Sequence, residues 1–210
     1  MGDLPMSRDP ARAATQFFGG RVCLDFANTL DWRLTAQPQE LIPDYLELLA
    51  WSGRRGTLFA PVIAKLKARA NSDPAGARAL MKEALSLRTQ IWSIADALGE
   101  ARPAELKTVN RMIQELPQQP KLVERGGLYA FDLDGKDLAE PLWPVLWSLT
   151  AVLASDDAKR VGSCRAQGCG WYFVDESPNR TRVWCSSEVC GNRERARRAY
   201  AKRRSSLTSS

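Results

Sequence analysis

The chain has 210 residues, enough for one large domain or two small ones. Its 30 Lys and Arg residues outnumber 24 acidic residues and 44% of the chain is apolar, a globular composition that excludes a wholly disordered or collagen-like protein. The sequence contains no histidine, which excludes Ser-His-Asp and Cys-His catalytic arrangements and every imidazole metal ligand.

Neither a membrane segment nor a secretory signal is visible in the sequence. The longest mostly apolar run, 142–154, has 13 residues, fewer than the roughly 20 that a membrane-spanning helix needs. No apolar stretch of the signal-peptide type precedes Gly19, and five cysteines are too few for a disulfide scaffold. We therefore expect a cytoplasmic protein with no membrane partner.

Charge is distributed unevenly along the chain. From Val161 to Ser210, ten Arg and Lys residues stand against four acidic residues, whereas the cations and acids of the first 160 residues cancel. Such asymmetry is typical of contact with nucleic acid or another anionic surface. We predict two modules, a helical domain at 19–157 and a metal-binding module at 160–204, between a flexible N-terminus at 1–18 and a disordered tail at 205–210.

Apolar spacing predicts that the first module is mainly helical. Two short helices are predicted, around Ile42, Tyr45, Leu46 and Leu49 and around Val62, Ile63 and Leu66. A long helix follows, capped by Ser72 or Asp73, with Pro74 in its first turn and its end near Gly99. Its apolar seam consists of Leu80, Ala84, Leu87, Ile91, Ile94 and Leu98.

The rest of the first module mixes helix and strand. A helix opened by Pro103 is predicted to bury Leu106, Val109, Ile113 and Leu116. Strand-like runs at 121–124 and 128–133 flank Gly126 and Gly127 and predict a small β-hairpin. A final helix around 138–154 carries Trp143 and Trp147, whose spacing of four favours core or interface packing.

A polar group near the start of this module has two interpretations. The stretch from Cys23 to Leu30 can wind as a helix, and it places polar side chains near one another: Asp25, Asn28, Thr29 and Arg33. The favoured interpretation is a partly buried polar network. The other is a pocket for a small-molecule effector, to which Arg88 would add an anion-binding guanidinium. Cys23 is expected to be a small core residue, since no histidine is present to activate it.

Four cysteines form the most specific pattern in the chain. Cys164 and Cys169 form one C-x4-C pair and Cys185 and Cys190 another, with fifteen residues between the pairs. Two such pairs can close a tetrahedral zinc site, and four ligands with no open position indicate one structural zinc ion. Two disulfides would need an oxidising compartment, and unliganded cysteines would not explain the paired spacing.

The remainder of this module predicts a ribbon followed by a helix. Residues 171–174 form an aromatic strand, and a helix runs from about Ser187 to Arg203 with Ser186 or Ser187 as its cap. Val189, Ala196 and Ala199 would pack onto the metal core. The exposed cations are candidate nucleic-acid contacts: Arg193, Arg195, Arg197, Arg198, Lys202, Arg203 and Arg204. The alternative is a solvated basic helix that maintains solubility or pairs with acids of the first module.

Both modules resemble domains of a known family. The spacing from Cys164 to Cys190, continued by Gly191, Asn192 and Arg193, looks like the CGNR zinc finger of bacterial proteins. The first module, with Gly20, Arg21 and the Cys23–Thr29 stretch, is similar to the ABATE domain that precedes this finger. The resemblance implies a stress-induced transcription regulator that binds DNA through the finger. It also implies that the four cysteines are the ligands and that Asn192 and Arg193 are the signature polar residues. From their chemistry, Asn192 is expected to fix the turn by hydrogen bonds to the backbone, and Arg193 to clasp either Asp175 or a phosphate.

The predicted fold class is mainly α: a helical N-terminal domain with a small β-hairpin, then a treble-clef or ribbon-like four-cysteine zinc finger ending in a basic helix. The predicted function is DNA-binding transcription regulation, responsive to stress or to a ligand through the first domain, with a homodimer as a candidate state. The alternative is a zinc-stabilised module that binds protein or RNA. An enzyme is not expected, because the chain lacks a nucleophile elbow and a phosphate loop. Loss of the metal is expected to unfold 160–204 alone.

Overall fold

The computed structural model describes residues 16–116, 121–125 and 127–208, so most of the predicted flexible N-terminus and part of the tail lie outside the described residues. The helices are α1 (Val22–Ala27), α2 (Tyr45–Arg55), α3 (Ala60–Ser72), α4 (Pro74–Gly99), α5 (Lys107–Gln114), α6 (Trp143–Leu153) and α7 (Asn192–Thr208). The strands are β1 (Leu30–Asp31), β2 (Gln39–Glu40), β3 (Leu122–Arg125), β4 (Leu128–Phe131), β5 (Val161–Ser163) and β6 (Tyr172–Val174). They pair antiparallel as β1–β2, β3–β4 and β5–β6. The mainly helical prediction with small hairpins is confirmed.

The long helix α4 is confirmed at both ends. The Asp73 carboxylate accepts a hydrogen bond from the Gly76 N–H (2.8 Å), and Pro74 occupies the first helical position. Its predicted seam forms the centre of the hydrophobic core, since Leu80, Ala84, Leu87, Ile91 and Ile94 are buried. The helix is the longest element of the described chain, and α1, α2, α3 and α5 pack against it, while α6 packs against α1.

Two details of the helical domain differ from the prediction. Leu46 is 47% exposed, because α2 begins at Tyr45 after an Asp44 cap and buries the stripe that includes Leu48 and Leu49. The helix predicted to begin at Pro103, which is α5 in the structure, begins instead at Lys107. The Glu105 carboxylate accepts a hydrogen bond from the Lys107 N–H (2.7 Å), which satisfies a first-turn donor and explains the later start.

Helix α6 is apolar around most of its circumference, and the hairpin covers part of it. Phe131 on β4 packs against Trp147 with ring centroids 3.9 Å apart, and Trp143 lies 6.4 Å from Trp147. These contacts confirm the predicted packing role of the two tryptophans. In the part of the chain that the structure describes, no helix is both long and apolar enough to cross a bilayer.

The two predicted modules share one core. Tyr172 and Val174 of β6 are buried among residues of α1 and α4, and the Tyr172 hydroxyl donates a hydrogen bond to the Asp96 carboxylate (2.7 Å). The side-chain amide of Asn28, at the end of α1, donates to Tyr172 O and accepts from Tyr172 N–H, both at 2.8 Å. Asn28 therefore pairs with the β6 backbone as a neighbouring strand would. Unfolding of 160–204 alone, expected from the sequence, would break this core.

The substitution Asn28→Ala is expected to lower the free energy of unfolding by about 2–4 kcal/mol, because it leaves a buried N–H and a buried C=O of Tyr172 without partners. Urea denaturation followed by circular dichroism measures the change. Asn71→Ala is the matched control, since Asn71 is exposed on α3. A loss at Asn28 no larger than at Asn71 would contradict the coupling of the two parts.

Candidate metal centre

The four paired cysteines converge on one point. Their Sγ atoms all lie within 4.8 Å of one another, and all four residues are buried. The Sγ of Cys185 is 3.4 Å from that of Cys190 and 3.8 Å from that of Cys169. These separations are well above the S–S bond length of about 2.05 Å, so no disulfide joins these cysteines.

The four residues fit a tetrahedral metal site. Four sulfur ligands at about 2.3 Å from a central ion lie about 3.8 Å from one another, close to the separations seen here. The structure encloses these sulfurs in a small apolar cluster with Trp171 and Phe173, so a bound ion would be shielded from water. The cysteines are therefore positioned to bind a metal ion, and a set with four protein ligands leaves no position open for a substrate.

Tight turns position the sulfur atoms of both cysteine pairs. Cys164 follows β5, and Cys169 lies between Gly168 and Gly170, which both have positive φ (78° and 68°). Cys190 lies in a single π-helical turn, Ser187–Gly191, directly before α7. The Ser186 hydroxyl accepts a hydrogen bond from the Val189 N–H (3.2 Å), which confirms one of the two predicted caps.

Arg182 joins the two halves of the site, a role that the sequence analysis did not assign. Its Nη2 donates to Cys185 O (2.6 Å) and to Phe18 O (2.9 Å), and its Nη1 and Nε donate to two further carbonyls, those of Val174 and Trp184. Its guanidinium also lies 4.2 Å from the Phe173 ring centroid. Its place two residues before a tryptophan in the CGNR-like pattern is the only sequence signal for it.

Asp175 supports the same loop and does not pair with Arg193. Its carboxylate accepts hydrogen bonds from the Ser177 N–H (2.9 Å) and the Arg182 N–H (2.9 Å). Burial would raise the pKa of Asp175, but these bonds hold it below its usual value, so the group is ionised. Of the two partners implied for Arg193, Asp175 is excluded by this geometry.

The β1–β2 loop of the helical domain packs against the first cysteine turn. Leu34 N–H donates to Gly168 O (3.2 Å), and Arg33 Nη2 donates to Gly170 O (3.1 Å). A Cβ on Gly168 would lie 2.6 Å from a Thr35 methyl carbon, so only glycine permits this approach. The metal centre is thus built partly from the domain that precedes it.

The basic helix is buried only in its first turn, as far as the side chains up to Ser205 show. Arg193 and Glu194 are buried, whereas every residue from Arg195 to Ser205 is exposed. Ala196 and Ala199, predicted to pack onto the metal core, are exposed because α7 projects outward beyond that first turn. Helix α7 also continues to Thr208, past the predicted end of the module at 204.

The seven predicted nucleic-acid contacts fall into three groups. Arg193 is 9% exposed and lies 4.3 Å from the Trp32 ring centroid, so it is not one of the exposed cations that the sequence predicted. Arg195 bonds to the Asn192 side chain and Arg197 to the Glu194 carboxylate (2.8 Å). The third group is exposed and lies further along the helix than Arg197: Arg198, Lys202, Arg203 and Arg204.

The turn before α7 is held by polar side chains at its start. Asn192 Nδ2 donates to Glu188 O (2.7 Å), which confirms that Asn192 fixes the turn. Glu194 accepts the Gln167 N–H (3.1 Å) and faces Arg197. Burial acts to raise the pKa of Glu194, but the bonds from Arg197 and Gln167 keep it below its usual value. Arg197 is therefore paired with a charged partner before any ligand arrives.

Of the candidate pocket residues of the helical domain, Arg33 and Arg88 both lie over the Trp92 ring, 5.3 and 5.4 Å from its centroid, whereas Asp25 is bonded elsewhere. Arg88 donates to Thr29 Oγ1 (3.0 Å) and forms a bidentate pair with Glu40, while Arg33 lies 4.8 Å from the Tyr172 ring centroid. Asp25 is apart from them, bonded to Gly19 N–H (2.8 Å) and Arg55 (2.7 Å).

Each of these side chains has a protein partner, as in the polar-network interpretation, and the presence of an effector pocket stays a prediction. Cys23 lies beside them in α1, with no exposed surface. Burial raises the pKa of its thiol to about 11, which fits its predicted role as an unreactive core residue.

Two family models match consecutive stretches of the chain. Residues 20–156 match the ABATE family, described as "Putative stress-induced transcription regulator". Residues 160–203 match the family described as "CGNR zinc finger". No curated protein matches the sequence.

Proposed function

The chain belongs to the ABATE family, followed by a CGNR zinc finger, and from this premise we propose that it is a DNA-binding transcription regulator with one structural zinc ion. A regulator of this kind acts beside the chromosome, in the bacterial cytoplasm. The family description supports assigning a response to stress to the helical domain. The protein acts by binding and not by catalysis, in keeping with a metal site that has no open position.

Zinc is the ion that suits these ligands. Four thiolates in a buried, closed set favour zinc over the oxygen-seeking cations, and they would be Cys164, Cys169, Cys185 and Cys190. Bound zinc links the strand β5, the loop after β6 and the start of α7. Its positive charge also offsets the mutual repulsion of the four thiolates. Its role is to hold α7 at a defined place.

The main support for DNA binding is the exposed, basic part of α7. Between Arg195 and Ser205 every residue is exposed, and this stretch has six cations and no acid. An α-helix fits the major groove of B-form DNA, and arginines on such a helix contact phosphates and guanine edges. The deep and narrow major groove of an RNA duplex does not admit a helix, which disfavours duplex RNA as the partner.

Arg198 and Lys202 are the strongest candidates for phosphate contacts. They are four residues apart, hence on one face of α7, and neither side chain has a partner among the described residues. Arg193 and Arg197, by contrast, already bind protein groups at the helix base. Arg203 and Arg204 extend the basic surface toward the end of the helix.

The double substitution Arg198→Glu with Lys202→Glu is expected to weaken binding to mixed-sequence duplex DNA at least about tenfold and to reduce the slope of log affinity against log salt by about 2. Fluorescence anisotropy across a salt series measures both. The matched control is Arg78→Glu with Lys82→Glu, an exposed Arg and Lys four residues apart on α4.

Both double variants change the net charge equally, so a general electrostatic effect would weaken both alike. The proposal requires that only the α7 variant loses affinity and slope. Equal losses in the two variants would contradict the placement of DNA on α7. Tighter binding of single-stranded RNA than of duplex DNA would favour the alternative of an RNA-binding module.

A further inference from the structure

Trp32 of the helical domain lies directly beneath the base of α7. The Arg193 guanidinium is 4.3 Å from the centroid of the Trp32 ring, a cation–π distance. Arg193 also donates weakly to Gln167 O (3.4 Å). Glu194 and Asn192, in the first turn of α7, bond to Gln167 and Glu188 of the finger itself, whereas Trp32 is a contact from the helical domain to the base of this helix.

The loop around Trp32 is built to present this ring. Trp32 has φ of 53°, a left-handed conformation that is unfavourable for a bulky side chain. Thr35 holds it there, since its N–H and its hydroxyl both donate to Trp32 O (2.9 and 2.8 Å), and Asp31 Oδ1 accepts the Trp32 N–H (3.0 Å). A strained residue that its surroundings hold in place points to a role for its position.

We propose that Trp32 is a positioning residue through which the helical domain sets the direction of α7. This inference rests on the proposed function, because the direction of α7 matters for presenting its cations to DNA. From residue 193 to residue 208 the helix extends about 22 Å, so a rotation of about 20° at its base moves its tip by about 8 Å. That displacement exceeds the spacing between adjacent phosphates of one strand.

The contact also gives the helical domain a route to influence DNA binding. Trp32 directly follows β1, and β1 pairs with β2, whose Glu40 forms a partly buried ion pair with Arg88 of α4. A change at this polar group therefore lies one short strand away from the ring that supports Arg193. The path consists of covalent neighbours and paired strands.

The test measures the orientation of α7 without DNA. Residual dipolar couplings of backbone amides report whether α7 and the rest of the protein align as one body. In the wild type, the couplings of α7 residues 192–204 are expected to fit the same alignment tensor as those of α4. In Trp32→Ala, the α7 couplings are expected to fall to about half or less, while the α4 couplings and the zinc content stay unchanged. Trp32→Phe, which keeps an aromatic face, is expected to restore them.

DNA binding gives the second readout. A loosely held helix must be ordered on binding, so Trp32→Ala is expected to weaken DNA affinity about tenfold with an unchanged salt slope, because no phosphate contact is removed. A purely structural role would instead reduce zinc content and the unfolding midpoint, and Trp32→Phe would not restore affinity selectively. The substitution Arg193→Gln removes the cation of the same Arg193–Trp32 contact. It replaces Trp32→Ala in both measurements if Trp32→Ala does not fold.

The outcomes separate this inference from the proposed function. If the wild type binds no DNA, the proposed function fails, but the dipolar couplings still decide whether Trp32 positions α7. If α7 couplings are the same in the wild type, Trp32→Ala and Arg193→Gln, the positioning role is overturned, whatever the protein binds.

Discussion

Replacing Cys185 by Ser is expected to remove the bound metal and to destabilise the whole described fold. Three thiolates hold zinc much less well than four, and zinc binding supplies about 10 kcal/mol or more of folding free energy in small fingers. Because Tyr172 and Val174 belong to the core of the helical domain, the loss is expected to reach α1 and α4 as well. The zinc content of purified protein and its urea unfolding curve measure the two effects.

The fifth cysteine provides the control for this substitution. Cys23 is also fully buried but lies in α1, outside the cysteine cluster. Cys23→Ser is expected to keep one zinc per chain and to lose only about 1–3 kcal/mol, the penalty of burying a hydroxyl. A Cys185→Ser protein that retains a full equivalent of zinc would refute the four-ligand site. A normal helical unfolding midpoint after zinc loss would show that the modules fold separately.

The substitution Arg182→Ala is expected to lower the free energy of unfolding by about 3–5 kcal/mol. It leaves four carbonyl oxygens without their charged donor, including those of Phe18 and Cys185, and it removes the guanidinium from the Phe173 ring. Urea unfolding of the zinc-loaded protein measures the change. We also expect faster transfer of zinc to a chelator, because the loop that carries Cys185 loses its main support.

Arg180→Ala is the matched control, two residues away in the same loop. Arg180 is exposed and also has a positive φ (51°), and alanine keeps the Cβ, so the backbone preference hardly changes. Its loss is expected to be below about 0.5 kcal/mol, as for surface positions in general. Similar effects at Arg180 and Arg182 would contradict the role of Arg182 as a carbonyl clamp.

Local patterns were sufficient to predict the long helix α4 and the clustering of the four cysteines, but not the pair β1–β2 or the strand β5. The cap at Asp73 and the apolar seam of α4 predicted that helix to within a residue, because capping and periodicity act over a few positions. The cysteine spacing identified the cluster, because each short turn delivers two sulfurs to one place. In both cases the information lies close together in the sequence.

Contacts between distant segments could not be predicted in this way. Helical periodicity placed Arg193 on an exposed stripe, but Trp32, far away in the chain, covers it. Ala196 and Ala199 were predicted to be buried, since spacing alone does not show where a helix leaves the protein body. The amide of Asn28 was recognised as polar and partly buried, yet its partner Tyr172 lies in the other module. In all three cases, tertiary packing determines which residues are buried and which groups they contact.

The most direct test of the account measures zinc and DNA binding on the same preparation. We predict one zinc per chain and, for mixed-sequence duplex DNA, a log–log salt slope of about −3 to −4, corresponding to about four neutralised phosphates. Arg198, Lys202, Arg203 and Arg204 would supply those contacts. One zinc per chain with no measurable DNA affinity at low salt would contradict the central claim and leave the finger as a structural or protein-binding element.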